Sequence, residues 1–172
     1  MTKPAPQADA THILAAVPKH SIARVRAEDL GELLPLMRAY CDFYESSPSD
    51  DALRALSHAL IADAEGEGLQ LLARDAGGRA VGFATVYWMW STTDAARIGV
   101  MNDLFVVADT RGTGLAERLI AACHEECIRR GARRLSWQTA PGNLRAQAVY
   151  DRVGATREQW VDYWLDAGPS EA

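Results

Sequence analysis

Apolar positions change period several times along the chain, and each change marks an element. Ile22 to Arg26 reads as a first strand. Asp29 then opens a stretch in which Leu30, Leu33, Leu34, Met37 and Tyr40 recur at helical spacing. Past Pro48, the Ser49-Asp50-Asp51 cluster starts a second helix through Leu53, Leu56, Leu60 and Ile61. Leu69 to Arg74 and Arg79 to Trp90 have strand character and are joined by Asp75-Ala76-Gly77-Gly78, a turn signal. A further strand is predicted over Ile98 to Val107. Leu115 to Arg130 reads as a helix that ends in a basic turn and Gly131. Leu135 to Thr139 is a short strand, Leu144 to Val153 a helix stopped by Gly154, and Glu158 to Leu165 a last strand.

Hairpin strands in the middle and helix crossovers later predict an α/β (α+β mixed) fold. Its core is a mixed, largely antiparallel twisted sheet of about six to seven strands flanked by helices. The 172 residues suit one such domain, over 21–168, behind a flexible N-terminal tail of residues 1–20 that holds Pro4, Pro6 and Pro18. No apolar run reaches the roughly 18 residues of a membrane span, and Ile13 to Val17 is too short for a signal-peptide core, so the chain reads as cytoplasmic. The net charge of −5 disfavours a nucleic-acid partner and mildly favours cationic ones. Cys123 and Cys127 lie one helical turn apart without a second ligand pair, so they read as packing residues, and no metal site is expected.

The most informative stretch runs from Asn102 to Ile120: a strand, then Arg111-Gly112-Thr113-Gly114, then an amphipathic helix. Two glycines let the backbone turn tightly beside a ligand, and the free amides of a first helical turn attract anions. Arg111 adds a forked cation. A diphosphate is the natural occupant. A nucleoside-triphosphate loop would need Gly-Lys-Ser/Thr, and a dinucleotide fingerprint would need a glycine where Glu117 stands.

Arg111-Gly112-Thr113-Gly114-Leu115-Ala116 resembles the Gln/Arg-x-x-Gly-x-Gly/Ala signature of the GNAT acetyltransferases, position for position. The resemblance implies that these six residues bind the pyrophosphate of acetyl-CoA as co-substrate. It also implies that Leu104, Phe105 and Val106 pair with the pantetheine arm like an added strand. Asn143 to Gly154 resembles the family's next motif, Asn-x-x-Ala-x-x-x-Tyr followed by glycine. Asn143 is placed to cap its helix. The family's matching Asn contacts the cofactor arm, and its matching Tyr, here Tyr150, donates a proton to the departing thiolate. The same helix would also bury Ala146, Val149, Tyr150 and Val153 as an apolar stripe, and a tyrosine can serve both ends.

An alkylammonium must lose a proton before it attacks, so a carboxylate or a water it activates is needed. Asp103 is the candidate base on the cofactor strand, and alternation turns it away from Asn102 and Leu104. A plain polar strand residue is the other reading. Polyamine acetyltransferases of the family carry Glu-Asp where this chain has Asn102-Asp103, so a glutamate base is excluded there. The acceptor pocket is expected to draw on Tyr40, Asp42, Tyr44 and Glu45 at the end of the first helix, and on Trp88, because carboxylates and aromatic faces suit a cation. Trp160 and Trp164 read as core or interface packing, which leaves a homodimer as a candidate assembly. His124-Glu125-Glu126 lacks the second His of a zinc-protease helix, and no G-x-S-x-G elbow occurs.

The expected activity is therefore acetyl transfer to a small cationic amine, an aminoglycoside-type amino sugar or a polyamine, with antibiotic resistance as one role. A protein lysine or N-terminus as acceptor, and a non-catalytic acyl-CoA sensor, are the alternatives.

Overall fold

The computed structural model describes residues 20–168. Residues 1–19, most of the expected tail, lie outside the described residues, and His20 is already buried in the first strand. The element order is β1 (His20–Arg24), α1 (Leu30–Phe43), α2 (Asp50–Ala62), β2 (Gly68–Asp75), β3 (Ala80–Ser91), β4 (Ala96–Val106), α3 (Leu115–Arg130), β5 (Leu135–Ser136) and α4 (Leu144–Arg152). The sheet follows chain order, β1-β2-β3-β4-β5. The first three pairings are antiparallel and β4 with β5 is parallel.

Local chemistry explains the hairpin and the helix ends. Asp75 Oδ1 accepts from the backbone N–H of Gly77 and of Arg79, both at 3.0 Å, which closes the β2–β3 turn. Ser49 Oγ caps α2 by accepting from Ala52 N–H at 3.1 Å. Alternation along the strands then builds two cores. Leu69, Leu71, Ala84, Val86 and Met101 face α3, packing on Leu115, Leu119, Cys123 and Cys127. Leu72 and Phe83 face α1 and α2, meeting Leu33, Met37 and Leu53. The two cysteines are thus packing residues, as expected. At Gly99, any Cβ would lie 2.5 Å from Cys127 Sγ, so this glycine lets α3 press onto the sheet.

The β3–β4 register slips once. Thr85 pairs with Asp103 but Val86 pairs with Met101, so Asn102 is an extra residue, a β-bulge. Met101 packs on the α3 side, whereas Asp103 sits beside Tyr40 of α1 and Phe105 packs into the α1–α2 core.

Two expectations are corrected. Among the described residues the sheet has five strands rather than six or seven, because Glu158 to Leu165 forms no strand. Trp160 and Trp164 are each 81% exposed, and Val161, Tyr163 and Leu165 are exposed too, so neither tryptophan is a core residue. The segment is apolar on both faces of its alternation, and a strand of that kind needs cover on both sides, which the described residues do not provide. The β5 ladder also stops at Ser136, short of the expected Thr139.

Candidate active site

The early end of β5 makes the site. Its ladder joins β4 only at Gly99–Leu135 and Val100–Ser136. Beyond that the strands part, and among the described residues no strand pairs with β4 on that side from Met101 onward. The opening is a cleft of about 920 Å³. Leu104, Phe105 and Val106 form one wall, Trp137 to Thr139 and α4 the other, and the loop before α3 the floor.

That loop is shaped for an anion. Gly112 and Gly114 have φ of +83° and +82°, the left-handed region, and open space surrounds the position of a Cβ at each. Arg118 N–H is bonded to Gly114 O at 3.2 Å, so the amides before it in α3 belong to the first turn and lack helical partners. Thr113 Oγ donates back to Thr110 O at 2.8 Å. Arg111 is a clamp rather than a free cation: its Nε donates to Val106 O at 2.8 Å, and its guanidinium lies 5.9 Å from the centre of the Phe105 ring. The floor is therefore a helix N-terminus whose donors face the cleft, the arrangement that binds a phosphate.

Asn143 lines the cleft and caps α4, its Oδ1 accepting from Ala146 N–H at 3.2 Å. Its amide nitrogen stays available to a ligand. Tyr150, also on the lining, is half-buried and packs edge-on against Trp137 with ring centres 5.2 Å apart. Burial pushes its phenol pKa up, the nearby Tyr44 adds to this, and a hydrogen bond with Thr139 offsets it in part. The net effect is a phenol raised above its ordinary pKa.

Tyr40 and Tyr44 line the cleft as well, and their rings meet edge to face at 5.0 Å. Behind Tyr40 lies Asp103, half-buried, outside the cleft lining. Burial raises its pKa above the usual carboxylate range, and hydrogen bonds from Thr85, Asn102 and Tyr40 bring it part of the way back. Asn102 Nδ2 donates to its Oδ1 at 3.0 Å, and Tyr40 O–H donates to Asn102 O at 3.3 Å. Tyr40 is itself pushed up, by burial first and the Asp103 charge second.

The remaining acceptor expectations fare differently. Trp88 is buried in the α3-side core, its indole N–H donating to Ala64 O at 2.9 Å under the Arg130 guanidinium, so it is not a pocket residue. Its ladder partner is Gly99, where β5 still pairs with β4, short of the point at which the strands part to form the cleft. Asp42 and Glu45 are exposed at the end of α1 and do not line the cleft, while Phe43 beside them does. Sequence reasoning missed Trp137 and Thr139, which it placed inside a strand. It also missed Arg152, which ties α4 to Glu117 of α3 at 2.6 Å. Among the described residues no group of acidic, His or Cys side chains is arranged to hold a metal, and no helix is long and apolar enough to cross a membrane.

Known proteins share this plan. The profile of the Acetyltransferase (GNAT) family matches residues 33–155. The uncharacterized N-acetyltransferase YhfO of Bacillus subtilis (strain 168) is 28% identical over 147 residues, covering 85% of this chain and 97% of its own. The thialysine N-epsilon-acetyltransferase of Mus musculus is 25% identical over 158 residues, 84% of this chain and 88% of its own. Among solved structures, the aminoglycoside N-acetyltransferase AAC(6')-Iy in complex with CoA superposes with a TM-score of 0.75 at 23% identity, over 88% of this chain and 99% of that one. The family match spans the amide-lined floor, the parted strands and the Tyr150 helix alike; this chain belongs to the GNAT acetyltransferase family and is an N-acetyltransferase.

Proposed function

We propose that the protein transfers the acetyl group of acetyl-CoA to a primary amine of a small cationic molecule, an amino sugar of the aminoglycoside type or a polyamine. The observation that carries this reading is the cleft itself. One continuous path leads from the first-turn amides at Gly112 to Ala116, along the unpaired edge of Leu104 to Val106, to Tyr150. A diphosphate fits the first part and an extended amide-bearing arm the second. Bound acetyl-CoA would supply a thioester whose sulfur is the leaving group. Tyr150 gives its phenolic proton to that sulfur, and Asn143 holds the arm.

The amine enters at the Tyr40–Tyr44 end, where aromatic faces favour a cation. Asp103, behind Tyr40, takes up the amine's proton, and its raised pKa brings it nearer to the proton it must accept. The solved neighbours described as aminoglycoside acetyltransferases add weight to the amino-sugar choice. Resistance by N-acetylation is the role that acceptor would serve. A homodimer is part of the proposal, since a second copy would cover the exposed Trp160 to Leu165 segment. The test is thiol release from acetyl-CoA across a panel of aminoglycosides, polyamines, free amino acids and peptides. Turnover with amino sugars or polyamines is expected. Turnover with peptides alone would overturn the acceptor class, and thiol release with none of the panel would overturn the reaction.

A further inference from the structure

One face of the sheet carries a polar rung where its neighbour is apolar. Leu72, Phe83 and Phe105 stand opposite one another across β2, β3 and β4, and make the rung expected beneath two helices. Two residues along the strands, Gln70 stands opposite Thr85, and Thr85 opposite Asp103. Gln70 is 3% exposed and Thr85 is fully buried. Burying an amide and a hydroxyl is costly unless each finds a partner, yet a Leu and a Val would fit this layer.

The proton inventory of the rung gives it a direction. Gln70 Nε2 donates to Thr85 Oγ1 at 3.3 Å and lies 3.8 Å from the sulfur of Met37. That sulfur also takes the buried hydroxyl of Ser57 at 3.6 Å. A thioether only accepts, so Met37 draws the NH₂ end of the amide to itself, and the amide oxygen is left without a partner. With Thr85 already accepting from Gln70, its single proton is free to point at the carboxylate of Asp103, its partner across the ladder. Reversed, the Gln70 oxygen would take that proton, and Asp103 would lose a donor. One proton of the Gln70 amide and the proton of the Thr85 hydroxyl thus run toward the acid, while the other amide proton goes to Met37.

We propose that Gln70 and Thr85 are positioning residues for Asp103: they aim the Thr85 hydroxyl proton at its carboxylate and favour the form that can accept a proton. This rests on the reading of Asp103 as base. The groups that face the carboxylate are Tyr40 from α1, with Tyr44 behind it, Thr85 from β3 and Asn102 on β4. Tyr87 on β3 senses its charge and is pushed up to about 12, first by burial. No cation is among these groups, so neutral donors set the ionisation.

Thr85→Val keeps the shape and removes the donor, and Thr85→Ser restores it. The Asp103 carboxyl signal is followed by ¹³C NMR through a pH titration of the cofactor-free protein, and kcat/KM is followed over the same range. In Thr85→Val both the carboxyl titration and the acidic limb are expected to move up by about one pH unit, a tenfold change in the ionisation constant. Thr85→Ser stays close to the parent, and Gln70→Leu moves both in the same direction by less. Folding is checked by near-UV circular dichroism, with Gln70→Leu as the second route if Thr85→Val does not fold. An unmoved titration in a folded Thr85→Val or Gln70→Leu protein overturns the proposal. Asp103→Asn separates the two readings. Parental kcat in that variant refutes the base itself, and lost kcat with an unmoved Thr85→Val titration refutes only the rung.

Discussion

Tyr150→Phe isolates one oxygen atom. The ring keeps its edge-on packing against Trp137, and α4 keeps its Asn143 cap, so the fold loses only a half-buried hydroxyl and its bond with Thr139. Such a bond is worth about 1 kcal/mol net. For a domain of this size, 1 kcal/mol is about 2–4 °C in Tm. The chemical cost is larger. A general acid contributes ~10²–10⁴ in rate, which at 1.36 kcal/mol per decade is about 2.7–5.4 kcal/mol. The two effects differ severalfold, so they separate cleanly. kcat is measured by thiol release under single-turnover conditions, acetyl-CoA affinity by calorimetry, and Tm by scanning calorimetry. A fall in kcat of at least a hundredfold is expected, with affinity unchanged and Tm lower by no more than about 4 °C. The loss should also shrink with a thioester whose thiol is more acidic, because that sulfur leaves without a proton. A Phe variant that keeps near-parental kcat while chemistry limits the rate refutes the donor role.

Three further outcomes are expected. Gly114→Val should raise the KM for acetyl-CoA about tenfold or more, since φ of +82° strains any β-branched residue by at least ~1–2 kcal/mol and tilts the amides of the floor. Arg111→Ala should act more mildly, and parental KM in both would dismiss the phosphate floor. Burial pushes Glu126 up, but hydrogen bonds from Arg24 and Arg129 outweigh it and leave its pKa lowered, so its contribution is present above the ordinary glutamate pKa and lost as pH falls through the folded value. Glu126→Gln should therefore cost about 1–3 kcal/mol at neutral pH, less than a fully buried pair because Arg24 is half exposed, and the gap to the parent in urea melts should close below about pH 4. A gap that stays constant with pH would refute it. Finally, light scattering should find the full chain dimeric and a chain ending at Gly154 monomeric; the same association state in both would refute the role given to the Trp160 to Leu165 segment.

Local chemistry made parts of this fold readable from sequence. The Asp75 turn, the Ser49 and Asn143 caps and the two loop glycines act within a few residues, and each stands where its neighbours predicted. What stayed hidden depended on distant partners. Nothing near Leu135 reveals that its ladder lasts two residues, so Trp137 and Thr139 read as strand rather than as cleft wall. Trp88 has the composition of a pocket residue, and only the sheet's packing against α3 shows which way it faces. The alternation of Glu158 to Leu165 is that of a strand, but pairing is a property of two segments, and the second is absent among the described residues of this chain.

The bulge at Asn102 has a consequence for how such a site is inherited. Before it, odd-numbered residues of β4, such as Met101, face α3; after it, even-numbered ones, such as Val106, do. Draw that extra residue into the ladder, with Asn102 opposite Thr85, and Asp103 changes layers, taking its carboxylate to the wrong side of the sheet while every letter of the motif stays the same. The side of the sheet that owns the acid is thus written in where the strand bulges and not in the identity of the acid itself. Relatives of equal length that keep the aspartate but pair without the bulge would look alike column by column and present opposite chemistry to the acceptor.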